Sequence, residues 1–284
     1  MKRGAVILTG GRSTRMGRDK AWLPFDGERL LARVARTLLE CVRDVVVVAR
    51  PGQELPPLPA TVRVVRDDVP DQGPVGGLVP GLRASRAQHV FATSCDVPFL
   101  QPALVERLFD LAEGTDVAVA ETGGFTHPLC AVYARRVLPE LERLLAAGRL
   151  RPVHLYDGVE TVRVNEGPLR QVDPGLVSLV NVNTPEAYDE ALRGHLPEVR
   201  VELFDLARAR AGAAVVSVHA STVGGALLAL ADRCPSLVPD VLDADGCPGP
   251  HWRVSLDAER FVADRDTPVD ARSRVLLLSA LAGG

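Results

Sequence analysis

Lysine is nearly absent from this chain. Of 33 basic residues only Lys2 and Lys20 are lysine, and all the others are arginine. Asparagine occurs three times, at positions 165, 181 and 183. An excess of positive charge is missing too: the net charge is −3 and the pI about 6.1, which leaves no electrostatic case for nucleic acid. No stretch of about 18 apolar residues appears, which argues against a membrane-spanning helix, and nothing like a signal peptide precedes the first apolar run. Five cysteines lie far apart with no Cys-x-x-Cys pair. That spacing is wrong for a zinc site and poor for a disulfide framework, so a reducing, cytoplasmic setting is expected; no cysteine is assigned a role, a small buried hydrophobe being the default. Internal repeats and low-complexity segments are also lacking.

Against these absences stands one dense segment, Leu8-Thr9-Gly10-Gly11-Arg12-Ser13-Thr14-Arg15-Met16-Gly17-Arg18-Asp19-Lys20. It follows the apolar run Ala5 to Leu8, which reads as a short buried strand. A glycine-rich turn leaving a strand exposes backbone N–H groups that can face a phosphate chain. A chain so biased toward arginine keeps an internal lysine where a compact point charge is needed and a planar guanidinium is too wide. The segment is not a Walker loop, since Lys20 is not preceded by glycine and followed by Ser or Thr. Nor is it the dinucleotide fingerprint, since the glycines fall at 10, 11 and 17. A lone Gly-Gly would read as an ordinary turn; the length and spacing here favour function.

The first 192 residues alternate strand and helix signals, which predicts an α/β layer fold. Strands are expected at Val45 to Ala49, Val62 to Val65, Val90 to Thr93, Val117 to Ala120 and Leu129 to Tyr133. Helices are expected through Leu30 to Leu39, Leu104 to Leu111, Leu138 to Ala147 with Gly148 as stop, and after Pro185. A break follows at Arg193 to Pro197. Beyond it the order is strand, short helix, strand, a helix over Val223 to Arg233 capped by Thr222, then strands near Trp252 to Leu256 and Val275 to Leu278. The expected division is a domain over 1–195 and a second over 198–284. From residue 197 onward there are twelve acids and nine bases, so the net −3 sits in the second part. A solvated surface accounts for that as well as a basic partner does.

Asp96 lies just past a predicted buried strand, where ligands gather in open α/β sheets. A carboxylate there suits Mg²⁺, which takes one or two carboxylates plus phosphate oxygens and water. A helix N-cap before Pro98 is the plainer use. Asn181 and Asn183, separated by valine, project to one face of an extended segment and offer neutral donors and acceptors. They too could be an N-cap pair. Asp67 and the run Gly73-Pro74-Val75-Gly76-Gly77 form a third element, read as a loop whose glycines let the backbone approach a flat base. A plain turn is the competing view. His127 reads equally well as a core histidine.

Together these motifs resemble the molybdenum cofactor nucleotidyltransferases over essentially the whole first part, in the right order. The resemblance implies a Rossmann-like three-layer nucleotidyltransferase domain. It implies that Leu8, Thr9, Gly10 and Gly11 wrap a triphosphate that Arg15 and Lys20 neutralise, and that Asp96 is the Mg²⁺ ligand. It also implies that Asn181 and Asn183 face the metal and the pterin phosphate, that Asp67 and Gly76 contact the nucleoside, and that one of Arg149 and Arg151, here taken as Arg151, holds the pterin phosphate. The implied reaction is attack by a molybdopterin phosphate on the α-phosphorus of a nucleoside triphosphate, releasing pyrophosphate. Gly10-Gly11 is similar to the guanylyl branch, which implies GTP. A cytidylyl transferase, or one acting on a sugar or isoprenoid phosphate, is the alternative. In one departure, Arg50 stands after the second strand where the family often has asparagine, and Thr9 replaces a small alanine.

The second part resembles the small, sulfur-carrier subunit of molybdopterin synthase, in Val199 to Phe204, Ala207-Arg208, Gly212, Thr222-Val223, Leu227 and Asp266 to Val269. The resemblance implies a ubiquitin-like β-grasp domain. It also implies that the terminal Gly283-Gly284 is adenylated and converted to a thiocarboxylate. The implied partners are the synthase large subunit, an ATP-dependent adenylating enzyme and molybdopterin-inserting proteins, with no nucleic acid and no membrane. Ser279-Ala280 replaces the Pro-Pro usual before the tail. A docking domain that carries no sulfur is the alternative.

Overall fold

In this computed structural model, residues 2–9, 18–67 and 72–280 are described. The strands are β1 (Arg3–Leu8), β2 (Pro24–Phe25), β3 (Glu28–Arg29), β4 (Asp44–Ala49), β5 (Arg63–Arg66), β6 (His89–Ser94), β7 (Val117–Thr122), β8 (Phe125–Ala134), β9 (Thr161–Val164), β10 (Glu198–Leu203), β11 (Val215–His219), β12 (Trp252–Leu256), β13 (Arg260–Val262) and β14 (Arg274–Ser279). The α-helices are α1 (Leu30–Cys41), α2 (Gly73–Ala84), α3 (Pro102–Leu111), α4 (Leu138–Ala146), α5 (Glu166–Arg170), α6 (Pro185–His195), α7 (Asp205–Ala211) and α8 (Val223–Arg233). The chain forms two compact units. One comprises 1–22 and 30–183; the other comprises 23–29 and 184–284.

The first unit is built on a seven-stranded sheet in the order β5-β4-β1-β6-β8-β7-β9. β5, β4, β1 and β6 run parallel. β8 is antiparallel to both β6 and β7, and β9 is parallel to β7. Alternation along β1 sets the layers. Ala5 and Ile7 enter one core with Leu31, Val34 and Leu38 of α1 and Leu104, Val105 and Leu108 of α3. Val6 and Leu8 enter another with Val75, Leu78 and Leu82 of α2 and Leu141 and Leu144 of α4. A sheet covered on both faces explains why its strands read as continuous apolar runs.

The run Gly73 to Gly77 corrects the sequence reading: it is no loop but the first turns of α2. Pro74 suits a first turn, where its missing N–H costs nothing. The glycines bring the helix onto the sheet. A Cβ at Gly77 would lie 2.9 Å from Cδ2 of Leu8, and one at Gly81 only 2.6 Å from Cγ1 of Val6.

The second unit contains a five-stranded sheet, β11-β10-β14-β12-β13. β10 and β14 are parallel neighbours; the other pairs are antiparallel. Val223, Leu227 and Leu230 of α8 share one core with Val199, Val201, Trp252, Val254, Val275 and Leu277 from the sheet. Thr222 caps α8, accepting from the Gly225 N–H at 3.1 Å, as its sequence position predicts. Gly212 ends α7 with φ 69°. The β2–β3 hairpin belongs to this unit. Its turn residue Asp26 accepts from the Ser221 N–H (2.8 Å) and from the Ser221 hydroxyl. The Tyr188 hydroxyl donates to the Pro24 carbonyl, and Arg29 reaches the Ala244 carbonyl. No helix among the described residues is long and apolar enough to cross a membrane.

Candidate active site

The carboxyl ends of β1, β4 and β6 assemble the site, where strand order places ligands in an open α/β sheet. β6 ends at Ser94, and Asp96 follows in a turn with the Cys95 N–H bonded to the Leu8 carbonyl at 3.2 Å. Asp96 is buried. Its Oδ1 accepts from the Ser94 hydroxyl and from Nδ2 of Asn181 at 3.2 Å. Its Oδ2 accepts from Nζ of Lys20 at 2.8 Å, and the same ammonium donates to Oδ1 of Asn183.

Backbone bonds hold the two asparagines there. The Val182 N–H donates to the Asp96 carbonyl at 2.9 Å, and the Val182 side chain is fully buried. That bond pins the extended segment to the β6 turn and turns both neighbours toward the carboxylate. Neither asparagine caps α6. The cap is Thr184, which accepts from the Ala187 N–H at 3.2 Å. Asp96 caps no helix either, since α3 begins after Gln101.

Lys20 begins a single 3-10 turn, Lys20–Trp22. Asp19 shapes that turn: its Oδ1 accepts the Ala21 N–H at 3.0 Å and its carbonyl the Trp22 N–H at 3.1 Å. Its Oδ2 accepts from Arg50 (3.0 Å) and from Nε2 of Gln53 (2.7 Å). Thr9 donates its hydroxyl to Oε1 of Gln53 at 2.8 Å and its N–H to the Val48 carbonyl. Asp19 lies inside the glycine-bearing segment but nothing in the sequence gives its role, and Gln53 and Ser94 carry no motif that would single them out as site residues; they are visible only once β1, β4 and β6 are side by side.

Other predicted residues stand apart from this cluster. Asp67 extends the β4–β5 ladder, its N–H on the Ala49 carbonyl at 2.8 Å. A Cβ at Gly76 would sit 3.6 Å from Oδ2 of Asp67, so these two are neighbours. Arg149 and Arg151 flank Leu150, whose carbonyl accepts the Val75 N–H at 3.3 Å in the first turn of α2. Arg151 is exposed. His127 is half-buried, with Nε2 2.7 Å from the Thr122 hydroxyl, and burial lowers its pKa. Burial, reinforced by the Asp96 charge, drives the Cys95 thiol far above its usual range, so it is an inert core group. Gly10, Gly11 and Arg15 lie outside the described residues, as do Gly283 and Gly284.

The donors around Asp96 are carboxylate, amide and hydroxyl oxygens, a set suited to a hard divalent cation rather than a soft one. No group of three or more His, Cys, Asp or Glu side chains arranged to hold a metal occurs among the described residues. The position on Oδ2 of Asp96 is held by a positive charge, that of Lys20. These residues therefore fit a metal that draws its remaining ligands from a phosphate chain and water.

Comparison with known proteins agrees with this arrangement. Residues 5–160 match the MobA-like NTP transferase domain. A Methanosarcina mazei protein named "Probable molybdenum cofactor guanylyltransferase" is 34% identical over 209 residues, which cover 69% of this chain and 92% of that one. The molybdenum cofactor guanylyltransferase of Desulfosudis oleivorans is 35% identical over 188 residues, covering 66% and 92%. The crystal structure of molybdopterin-guanine dinucleotide biosynthesis protein A from Archaeoglobus fulgidus superposes with a TM-score of 0.56 at 25% identity, covering 66% of this chain and 96% of that one. With more than half of its length matched, this chain belongs to the MobA-like NTP transferase family and is a nucleotidyltransferase.

Proposed function

We propose that the first unit transfers a guanylyl group from GTP to the phosphate of molybdopterin or its molybdenum cofactor, with pyrophosphate as leaving group. The observation that carries this is the seating of Lys20 on Asp96 and Asn183 at the carboxyl ends of parallel strands. The transferase names of the relatives agree with it. Phosphoryl-type transfer needs little covalent help from a protein; it needs positioning and charge neutralisation. Lys20 is a mobile point charge that can leave Asp96 for a phosphate oxygen. Asp96, with Asn181 and Asn183 beside it, would hold Mg²⁺. The bound ion would neutralise phosphate charge and polarise the phosphoryl oxygen. Thr9 and Leu8 lead the strand end toward the phosphates, Asp67 and Gly76 receive the nucleoside, and Arg151 takes the acceptor phosphate. The test is transfer of α-labelled GMP from GTP to molybdopterin, with CTP and sugar phosphates as competitors and a chelator as metal control.

For the second unit we propose a β-grasp fold that acts as a sulfur carrier through its terminal glycines. The central parallel β10/β14 pair, with α8 packed across the sheet, supports the fold. The carrier role over docking alone rests on the resemblance of residues 198–284 to the sulfur-carrier subunit, in which Gly283-Gly284 match the modified glycines. Partners would be an adenylating enzyme and a molybdopterin synthase large subunit. Intact mass of the full chain, before and after ATP, a sulfide source and the adenylating enzyme, reads the oxygen-to-sulfur exchange directly. An unchanged terminal carboxylate would leave a docking domain.

A further inference from the structure

We infer that Gln53 is a positioning residue for Lys20, acting through Asp19; the inference rests on reading Lys20 as the phosphate-neutralising group. Gln53 is 7% exposed, and both ends of its side-chain amide are used. Oε1 accepts from the Thr9 hydroxyl (2.8 Å) and from the Arg50 N–H (3.1 Å). Nε2 donates to Oδ2 of Asp19 (2.7 Å). Thr9 and Asp19 lie on either side of the glycine-bearing segment in the sequence, so one buried amide ties both to the end of β4.

The direction of the amide matters. Asp19 is acceptor-only, so it needs a donor; the Arg50 N–H is a donor and needs an acceptor, and the Thr9 hydroxyl, also 3.0 Å from the Val48 carbonyl, finds a second acceptor in the same Oε1. Glutamine alone of the uncharged side chains of this length supplies both. The consequence reaches Lys20 through one residue. With Oδ2 held by Gln53 and Arg50, Oδ1 of Asp19 is left to accept the Ala21 N–H. That bond, with the Trp22 N–H on the Asp19 carbonyl, shapes the turn from which Lys20 reaches Asp96 and Asn183. A second tie runs the same way: the Trp22 indole donates to the Glu54 carbonyl at 3.1 Å. Arg66 in turn donates to the carbonyls of Arg50 and Gln53 and fixes the segment from β5. Arg50, which stands where the family often has asparagine, is thus part of the same brace.

The test uses the full chain with Gln53→Leu and Gln53→Glu, over pH 5.5 to 8.5. Leucine removes both functions of the amide. A carboxyl keeps the shape, but when ionised it faces Asp19 as a like charge; protonated, it again offers one donor and one acceptor. The charged groups around it are Asp19, Arg50 and Arg66. Misplacing a charge-neutralising group by an ångström costs about 10- to 100-fold, so kcat/KM for GTP should fall by that factor in Gln53→Leu at every pH. Gln53→Glu, whose carboxyl is ionised over most of this range, should lose at least as much. KM for the acceptor should not move. Amide exchange at Ala21 and Trp22 should quicken in Gln53→Leu. Variants within twofold of wild type at all pH values, or unchanged exchange at Ala21 and Trp22 in Gln53→Leu, would each overturn the inference. A wild-type chain inert toward GTP would instead overturn the functional reading, and the exchange measurement would still judge the brace.

Discussion

The Lys20 ammonium lies 2.8 Å from Oδ2 of Asp96, 76 residues further along the chain. Both side chains are mostly buried there, at 17% and 9% exposure. Removing one partner of such a pair leaves the other charge uncompensated. In a site whose chemistry is charge neutralisation, the loss appears in rate as well as in stability.

Asp96→Ala and Lys20→Ala should each reduce guanylyl transfer by about 10²-fold or more, comparable with loss of a preorganised charge-stabilising group. Lys20→Arg should not restore the rate, because a planar guanidinium does not replace a compact ammonium between Asp96, Asn183 and phosphate oxygens. Steady-state kinetics on folded variants, checked by circular dichroism, measures this.

Gly81→Val should destabilise the first unit by about 1–3 kcal/mol, the cost of overpacking a filled core. Its Cβ would meet Val6 and Val48 from two neighbouring strands. Urea unfolding monitored at the sheet checks it.

Asp26→Ala should cost the second unit about 1–3 kcal/mol, since it strips the Ser221 N–H and hydroxyl of a charged acceptor. Asp26→Asn, which keeps an acceptor and tolerates the left-handed φ of 49°, should cost less. Thermal unfolding of the full chain compares the two.

How much of this was legible in sequence depends on where the signal lay. β1, β4 and β6 are buried on both faces, so their apolar runs announced them. The helices flanking them kept their spacing. Lys20, Asp96, Asn181 and Asn183 stood out by rarity or by following a strand, and the structure brings these four together. The run Gly73 to Gly77 reads as a loop because Gly73, Pro74, Gly76 and Gly77 are poor helix formers; close packing of α2 on Val6 and Leu8 overrides that propensity. The antiparallel place of β8 between β6 and β7 is a tertiary pairing that no local pattern encodes. The β2–β3 hairpin carried an Asp-Gly turn signal, but strands of two residues are too short to show alternation. Gln53 was silent because its role exists only when β1 and β4 are neighbours.

Stability should fall as pH drops from about 7 to 5. Burial lowers the folded-state pKa of His89, His127 and His219; the Arg136 charge adds to the effect at His89, while at His219 the Glu198 charge opposes it. A histidine depressed in the fold binds its proton first in the unfolded chain, so stability is lost as pH falls below the ordinary value of about 6.5. Urea midpoints at pH 7.5 and 5.5 should differ in that direction, and His127→Gln should flatten the difference.

The most direct test of the central claim is transfer of α-labelled GMP from GTP to molybdopterin by wild type and Asp96→Ala in parallel. A labelled dinucleotide with equimolar pyrophosphate from wild type, and about 10²-fold less from Asp96→Ala, is the predicted result. No labelled product from wild type, or equal rates from both proteins, would contradict it.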